Sequence, residues 1–324
     1  MKRGIVLIVV CFLFAILVPV SSFSQDKYPS KPINLYIGFS PGGSTDLVNR
    51  VIAEQMGAIL GQPLVPINKP GGGSTVEAAL LAQANPDGYT IGTLTTPAFA
   101  LIPHLRDLPY KPLTDFSFIG HTGLQAMGLC VRSDAPWKTL KEFLDYAKNN
   151  PEKVSYSSSG AGTPHHIVME WLAKKVGIQW KHIPYPGGNE ATAALLGGHV
   201  TATTGAATHI PAVKEGRLRM LVVYEGKRYP EFPNIPTLRE SGFDLAIEAG
   251  AGLAGPKGVP EPILDRLDAA LKKAMAAPEV AKVYKSMEMP MAYMSRKDYQ
   301  KRYMDDYVMF EKLLKELDMY KKGL

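Results

Sequence analysis

The sequence has almost no cysteine. Two cysteines occur among 324 residues, which excludes a disulfide framework and a multi-cysteine zinc site. Cys11 lies in an apolar stretch near the N-terminus, and Cys130 lies in a strand-like segment typical of a buried, inert thiol. The sequence also has no Gly-Lys-Ser/Thr phosphate loop, and Gly160-Ala161-Gly162 lacks the third glycine of a dinucleotide fingerprint.

Clustered positive charge is also absent. Lys and Arg number 36 against 30 Asp and Glu, a formal net charge of +6 without a basic cluster, which argues against a nucleic-acid partner. Hydrophobic residues make up 46% and charged residues 20%, the composition of a globular protein rather than a disordered one. The length is about twice that of an average domain of ~150 residues, which predicts two domains.

The N-terminal apolar run is too short for a membrane span. Lys2 and Arg3 precede an uninterrupted apolar segment, Ile5–Val18. As a helix this segment would measure about 21 Å, against ~30 Å for the hydrocarbon core of a bilayer. The small-x-small pattern of Ser22–Ser24 follows, so we expect residues 1–24 to be a cleaved signal peptide and the mature protein to be periplasmic. An uncleaved anchor is the alternative.

Glycine and proline are abundant, with 30 and 26 residues, and they fall at particular places. Short apolar runs typical of strands are followed by Gly-rich loops and then by segments with helical spacing of apolar residues. Four such loops are found at 40–46, 69–75, 158–164 and 185–189. Strands that alternate with helices predict an α/β fold with mainly parallel sheets covered on both faces.

The position of these loops predicts an anion site. In open α/β sheets ligands bind at the carboxyl ends of strands, where the amide groups of helix N-termini point outward with partial positive charge. The loops carry Ser, Thr and Gly and contain no Arg. Joining strands to helices does not require four Gly-rich loops, although each loop alone is compatible with a simple tight turn.

Enzymatic interpretations have weaker support. His166 and Glu170 stand one helical turn apart and supply two metal ligands, but no spacing identifies a third. Ser159 lacks the preceding glycine of a nucleophile elbow. Asp46 is a candidate acid, but a carboxylate in a first helical turn is favoured by the helix dipole alone. We therefore expect no catalytic residue, no metal and no cofactor.

The chain after residue 224 differs in character. Its prolines interrupt any long element, and three helices are predicted, at 261–277, 279–287 and 296–321, the last capped by Ser295. Thr139 and Glu142 form a capping box that predicts another helix start. The C-terminal part has too few elements to form a hydrophobic core of its own, so we expect it to pack on the first of the two α/β domains.

Several short motifs give the chain a family resemblance. They are Tyr28-Pro29, Lys31-Pro32-Ile33, Phe39-Ser40-Pro41-Gly42-Gly43-Ser44-Thr45-Asp46, Asn68-Lys69-Pro70-Gly71, Pro86-Asp87-Gly88-Tyr89-Thr90, Gly162-Thr163-Pro164-His165-His166, Glu170, Pro184-Tyr185, Leu195-Leu196-Gly197-Gly198, Pro233-Asn234-Ile235-Pro236-Thr237 and Gly252-Leu253-Ala254-Gly255-Pro256. In this order the chain resembles the extracytoplasmic solute receptors of tripartite tricarboxylate transporters, the Bug family.

The resemblance implies a two-lobed periplasmic binding protein of type II, an α/β fold whose lobes are mainly parallel sheets flanked by helices and joined by two crossing strands. It places the crossings near 120–125 and 245–250. It implies one discontinuous lobe over 25–124 and 248–324 and a second lobe over 125–247. Pro186 and Glu190 depart from the family pattern beside the expected pocket, so ligand identity transfers less readily than the fold.

The resemblance also implies a ligand and partners. The ligand is a small carboxylate (a di- or tricarboxylate, an amino acid or an aromatic acid) clamped between the lobes, and the partners are the membrane permease subunits. The expected ligand-binding residues are Phe39, Ser40, Gly42, Gly43, Ser44, Thr45, Thr95, Thr96, Ser159, Gly160, Gly162, Thr163, His166, Tyr185, Gly187, Asn189 and Thr208. Asp46 and Glu170 are expected to organise loops, and the receptor is expected to be a monomer. A secreted hydrolase or metal-dependent enzyme and a receptor feeding a membrane sensor stay as alternatives.

Overall fold

The computed structural model describes residues 28–205 and 207–321. The predicted signal peptide, residues 1–24, lies outside this part of the chain. The strands are β1 (Ile33–Ile37), β2 (Leu64–Asn68), β3 (Thr90–Thr95), β4 (Phe116–Leu124), β5 (Gly128–Arg132), β6 (Ser155–Ser158), β7 (Lys181–Pro184), β8 (Ala202–Gly205), β9 (Leu218–Val223), β10 (Gly250–Pro256) and β11 (Met291–Met294).

The α-helices alternate with the strands through most of the chain. They are α1 (Ser44–Leu60), α2 (Thr75–Ala82), α3 (Leu140–Asn149), α4 (Pro164–Val176), α5 (Gly188–Leu196), α6 (Ile210–Lys214), α7 (Glu261–Met275), α8 (Pro278–Ser286) and α9 (Arg296–Glu316). A short π-helix, Pro97–Leu101, follows β3. No helix within the described ranges combines the length and the hydrophobicity that crossing a bilayer requires.

The first sheet has six strands in the order β11-β4-β10-β3-β1-β2. Strand β1 pairs in parallel with β2 and β3, as the alternation of strands and helices predicts. Strand β10 arrives from the C-terminal part of the chain and pairs antiparallel with both β3 and β4. Strands from before residue 124 and after residue 250 therefore form one sheet.

The second sheet has five strands in the order β7-β6-β8-β5-β9. Strand β6 pairs in parallel with β7 and β8, whereas β5 pairs antiparallel with β8 and β9. Both sheets are thus mixed. In each sheet, parallel strands lie next to antiparallel strands that lead into the connections between the two sheets. The α/β two-lobed fold class is confirmed, but the sheets are not mainly parallel as predicted, because β4, β5, β9, β10 and β11 pair antiparallel. The lobe boundaries at 124/125 and 247/248 stay predictions.

Two segments connect the sheets. The chain leaves β4 and enters β5 through residues 125–127, and it returns from β9 to β10 through residues 224–249. The segments lie side by side, because the Gln125 amide donates to the carbonyl of Ala249 at 2.7 Å. Loops at the carboxyl ends of strands in both sheets meet beside these segments, which positions the site described below.

The predicted helix caps form. Thr139 accepts a hydrogen bond from the Glu142 amide at the start of α3, and Ser295 accepts one from the Asp298 amide at the start of α9. Helix α3 buries Leu140, Phe143, Leu144 and Ala147, one face at helical spacing. Among the helices next to the first sheet, α1 packs on α7 and α8, and α9 packs along strand β4.

A candidate ligand-binding cleft between the two sheets

A cavity lies where loops of the two sheets meet. Its volume is about 40 Å³, which is room for a few waters. The lining residues are Phe39, Gly43, Ser44, Thr45, Thr95, Pro97, Gln125, Met127, Ser159, Pro164, His165, Gly188, Ala249, Gly250 and Ala251. They come from both sheets and both crossing segments, so the two lobes are closed on each other.

Three helices begin at this cavity. Helices α1, α4 and α5 follow β1, β6 and β7, and their N-cap residues Gly43, Thr163 and Gly187 are extended and make no side-chain capping bond. Lack of a side-chain cap is not special to the cavity, because α7 and α8 also begin without one, whereas Thr139 and Ser295 cap α3 and α9. Because the first-turn amides of a helix have no intrahelical acceptor, uncapped N-termini leave donors for a bound group.

We call residues 39–46 and 95–97 the first wall of the cleft. Its centre is Asp46, whose Oδ2 accepts hydrogen bonds from the Gly42 amide and Arg50 Nε, both at 2.8 Å, and whose Oδ1 accepts one from Asn68 Nδ2 at 2.8 Å. Burial alone would raise the pKa of Asp46, but these donors outweigh it and lower the pKa. Asp46 does not line the cavity, and its contacts hold the loop that precedes α1.

The first wall is also bonded to the crossing segments. Ser44 Oγ donates to Gln125 Oε1 at 3.1 Å, and Thr96 Oγ1 accepts from the Gly250 amide at 2.9 Å. A change in the crossing segments would therefore move the start of α1 and the end of β3.

We call residues 158–166 and 187–189 the second wall. It is built on neutral rings and hydroxyls: Ser158 Oγ lies 2.6 Å from His182 Nε2, and the ring of His182 stacks on His166 with centroids 4.0 Å apart. Tyr156, which also stacks on His182, donates to Glu170 Oε1 at 2.6 Å. The wall contrasts with the first one, because its hydrogen bonds do not include an Arg or Lys.

Burial keeps these histidines uncharged. Desolvation, with a smaller contribution from neighbouring imidazoles, lowers the pKa of both His165 and His166 to about 3, and desolvation lowers that of His182 to about 4. His166 Nδ1 accepts a hydrogen bond from the Gly162 amide at 3.1 Å. The amide of Gly162, a favoured ligand donor on sequence grounds, is therefore already engaged inside the wall.

Two polar atoms at the cavity have no partner among the described residues. His165 is 4% exposed, and its Nε2 lies 2.7 Å from Ser159 Oγ, whereas its Nδ1 is unpartnered. Thr95 is also 4% exposed, and its Oγ1 is unpartnered. Because buried polar atoms in proteins are normally hydrogen-bonded, both atoms indicate a place where a ligand or water completes the site.

A buried carboxyl group ties the crossing segments together. Glu225 Oε1 accepts a hydrogen bond from the amide of Met127, a cavity residue, at 2.7 Å, and Oε2 lies 2.7 Å from Tyr229 Oη. Tyr229 in turn donates to the Met127 carbonyl at 2.9 Å. Burial raises the pKa of Glu225 to about 8. A protonated Glu225 satisfies this arrangement, since it can donate to the tyrosine whose own proton is already used.

The predicted site residues divide into two groups. Phe39, Gly43, Ser44, Thr45, Thr95 and Ser159 line the cavity. The others do not line it: Ser40, Gly42, Thr96, Gly160, Gly162, Thr163, His166, Tyr185, Gly187, Asn189 and Thr208. Among this second group, Gly187 is so close to Ser40 that a Cβ on it would lie 2.9 Å from the serine Cβ, which marks a contact between the two walls.

The expected ligand-binding residues omit the crossing residues Gln125, Met127 and Ala249–Ala251, together with Pro97, Pro164, His165 and Gly188, although Pro164 and Gly188 lie in two of the predicted Gly-rich loops. The resemblance placed the crossings near 120–125 and 245–250, but it did not assign them to the pocket. Pro164 and Gly188 are the first residues of α4 and α5, so the start of each helix is the signal that would have identified them.

The hydrolase and metal interpretations gain little from the geometry. Ser159 and His165 form a close pair, but among the described residues no carboxylate orients the imidazole, and a pKa near 3 makes it a weak base. His166 Nε2 lies 3.9 Å from Glu170 Oε1. Within the described ranges, no three His, Cys, Asp or Glu residues are grouped so as to hold a metal ion.

Comparison with known proteins agrees with the geometry. A family model described as "Tripartite tricarboxylate transporter family receptor" matches residues 48–319. The UPF0065 protein in the gbd 5'region of Cupriavidus necator is 40% identical over 274 residues, which is 85% of this chain and 84% of that protein.

Solved structures are similar over the same extent. The periplasmic binding protein BugD is 31% identical with a TM-score of 0.87, covering 91% of this chain and 100% of that one. MatC from Rhodopseudomonas palustris, solved with bound malate, is 26% identical with a TM-score of 0.83, covering 89% of this chain and 100% of that one.

Proposed function

Because the chain belongs to the receptor family of the tripartite tricarboxylate transporters, we propose that it captures a small carboxylate between its lobes in the periplasm and delivers it to a membrane permease. In this proposal the receptor is a monomer and has no enzymatic activity. The signal peptide expected over residues 1–24 directs export, and closure of the lobes about the crossing segments commits the ligand.

One observation carries the proposal: the N-terminus of α1 opens uncapped into the cavity. Its first-turn amides and the helix dipole favour a negative group there, by about 0.3–1 kcal/mol at exposed sites and up to ~2 kcal/mol when partly buried. The acid of that turn, Asp46, does not compete for them, because it is bonded to Arg50, Asn68 and Gly42. The amides of Ser44 and Thr45 are the donors we assign to the carboxylate, since the Gly43 amide already donates to the Ser40 carbonyl at 3.4 Å.

The second wall and the crossing segments complete the binding site in this proposal. Ser159, Gln125 and Thr95 supply uncharged hydrogen-bonding groups, and Phe39, Pro97 and Met127 supply apolar surface. A site of this kind is typical of small-molecule pockets, which are largely apolar with a few placed polar groups. The malate in MatC is a carboxylate bound by a similar protein, and this supports the ligand class.

A thermal-shift series tests the proposal. The purified protein without residues 1–24 is heated with acetate, butyrate, succinate, malate, adipate, citrate, aspartate and benzoate at constant ionic strength, with chloride as the control anion. At least one acid should raise Tm saturably, since a ligand that binds only the folded state stabilises it by RT ln(1 + [L]/Kd). Titration calorimetry should then give one site per chain. If no small acid shifts Tm above the chloride control, the proposal is wrong.

A further inference from the structure

The cavity contains no formally charged side chain. Its 15 lining residues are apolar residues, glycines, hydroxyls, one amide and one imidazole, without Asp, Glu, Lys or Arg. A carboxylate held there depends on helix amides, and a second carboxylate would meet no cationic side chain in the lining. Burying an unpaired charge is costly, so the number of suitable helix N-termini limits the number of carboxylates.

The three helix N-termini at the cavity differ in what they offer. Helix α1 presents its first-turn amides, and its own acid is paired with Arg50. Helix α4 begins with Pro164, which has no amide hydrogen, and the preceding Gly162 amide is bonded to His166. Helix α5 carries Glu190 in its first turn, so a carboxylate already lies at its N-terminus. Helix α1 is therefore the best suited to bind a carboxylate of the ligand, since α4 offers only the first-turn amides of His165 and His166.

Elsewhere the cavity lining offers uncharged hydrogen-bonding atoms instead. His165 Nδ1 and Thr95 Oγ1 are buried, line the cavity and lack partners among the described residues. The imidazole is fixed by its contact with Ser159 Oγ at 2.7 Å. If the serine donates, Nδ1 carries the proton and is a donor; if Nε2 donates, Nδ1 is an acceptor. Either tautomer suits an amide or a hydroxyl, whereas a keto group requires the tautomer with the proton on Nδ1.

His165 is a poor counter-ion for a second carboxylate. Desolvation, followed by the nearby His182 and His209, lowers its pKa to about 3, so the ring is neutral at the pH of the periplasm. Protonating it would also place a charge beside other buried imidazoles. The second carboxylate of a dicarboxylate ligand would therefore have to take up a proton on binding.

We propose that the ligand is a monocarboxylate with one uncharged hydrogen-bonding group at its far end, and that His165 is the residue that recognises this group, together with Thr95. This inference rests on the proposed function and narrows its ligand class. It differs from what the malate in MatC alone would suggest, since malate is a dicarboxylate.

Isosteric ligand pairs test the inference on the unmodified protein. Succinate, glutarate and adipate are each compared with their monoamides by titration calorimetry, and butyrate, valerate and caproate serve as references without a polar end. At the best-fitting chain length, the monoamide should bind about tenfold or more tightly than the diacid. It should bind without proton uptake when measured in buffers of different ionisation enthalpy.

Two variants assign the preference to His165. His165→Leu removes the ring nitrogen and should lower the affinity for the best monoamide about tenfold, to that of the matching fatty acid, whose own affinity should change less than twofold. His165→Gln keeps an uncharged donor and acceptor and should retain most of the monoamide preference. The Tm of each free variant shows that it is folded, and the Gln variant separates loss of recognition from loss of packing.

The outcomes separate the two proposals. If diacids bind more tightly than monoamides with uptake of a proton, or if His165→Leu lowers the affinities of fatty acids and monoamides equally, the inference is wrong and the proposed function stands. If no carboxylate of any series binds, the proposed function itself is wrong.

Discussion

The two walls of the cleft hold their loops by different chemistry. The first wall depends on an ionised Asp46, paired with Arg50 and bonded to Asn68 and the Gly42 amide. The second wall depends on neutral groups, with serines bonded to His165 and His182 and with the imidazoles stacked on each other. Both walls place a helix N-terminus at the same cavity, yet only one of them uses charge to do so.

The difference shows how a charge-free cavity can be built. In the first wall the charged pair lies behind the cavity, so it fixes the α1 amides without competing with a bound anion. In the second wall His165, His166 and His182 are uncharged near neutral pH, because burial lowers the pKa of each ring. We therefore expect the first wall to be sensitive to loss of a single carboxylate and the second wall to be sensitive to pH.

The largest expected effect is loss of the charged anchor. Asp46→Ala removes the acceptor for three donors and should lower the free energy of unfolding by about 4 kcal/mol, because three hydrogen bonds to a buried carboxylate are lost. Urea unfolding of the ligand-free protein measures this change. Asp145→Ala is the matched control: it also removes the acid of an i,i+4 pair, with Lys141 on α3, but that pair is exposed and its loss should have no measurable effect. Equal effects would refute the anchoring role.

The crossing segments extend the comparison, since Glu225 is a carboxyl group kept neutral by burial. Its pKa of about 8 exceeds the ordinary value of 4.5, so the folded state binds more protons than the unfolded state between these values. Stability from this group is therefore present at low pH and is lost as pH rises toward 8. Glu225→Gln should remove a decrease of about 3 kcal/mol in the free energy of unfolding between pH 5 and pH 8. Identical pH profiles would contradict a protonated Glu225.

The second wall should respond in the opposite pH range. The pKa of His166 is near 3 when folded and 6.5 when free, so the unfolded state binds more protons and stability falls as pH drops below 6.5. His166→Gln should make the loss of unfolding free energy between pH 7 and pH 5 smaller by about 2 kcal/mol. The exposed His199→Gln should keep the wild-type profile. If both variants behave alike, the neutral second wall is not what causes the pH dependence.

The smallest effect is expected where the walls touch. Gly187 is extended, with φ at −159°, so alanine is compatible with its backbone, but the added Cβ would lie 2.8 Å from Glu190 Oε2, the end of a flexible side chain, and 2.9 Å from Ser40 Cβ in the other wall. Gly187→Ala should leave the Tm of the free protein unchanged and weaken binding of the acid selected by thermal shift about tenfold, because closure is hindered. Gly205→Ala is the control, since a Cβ there meets no atom within 4 Å. Unchanged affinity in Gly187→Ala would argue against closure at this contact.

Much of the fold follows from the sequence. Strands such as β1, which alternates buried Ile33, Leu35 and Ile37 with half-buried neighbours, and helix α3 with its Thr139 cap carry strong local signals. Strand β4 has a weaker signal, because Gly120 and Gly123 interrupt it. These glycines are required by packing, since a Cβ on Gly123 would lie 2.5 Å from the ring of Tyr284, a residue far along the chain.

The candidate site could be predicted only in part for a similar reason. Loops that start helices are visible in the sequence, and Gly43, Ser44 and Thr45 follow from them. Gln125, Met127 and Gly250 reach the cavity because the crossing segments lie side by side, which depends on pairing between distant strands. The sequence predicted His166 as the ligand-binding histidine, but His165 lines the cavity and His166 accepts a hydrogen bond from the loop at Gly162. Neighbouring residues of one helix point into different surroundings, which the sequence does not show.

The most direct test removes one backbone amide at the start of α1. Ser44 is the first residue of this helix, a position where proline is compatible with helical geometry and where α4 itself has Pro164. Ser44→Pro removes both the amide hydrogen and the hydroxyl, whereas Ser44→Ala removes only the hydroxyl. Calorimetric titration with the acid selected by thermal shift should give an affinity at least tenfold weaker for Ser44→Pro than for Ser44→Ala. Equal affinities in two folded variants would contradict a carboxylate held by the amides of α1.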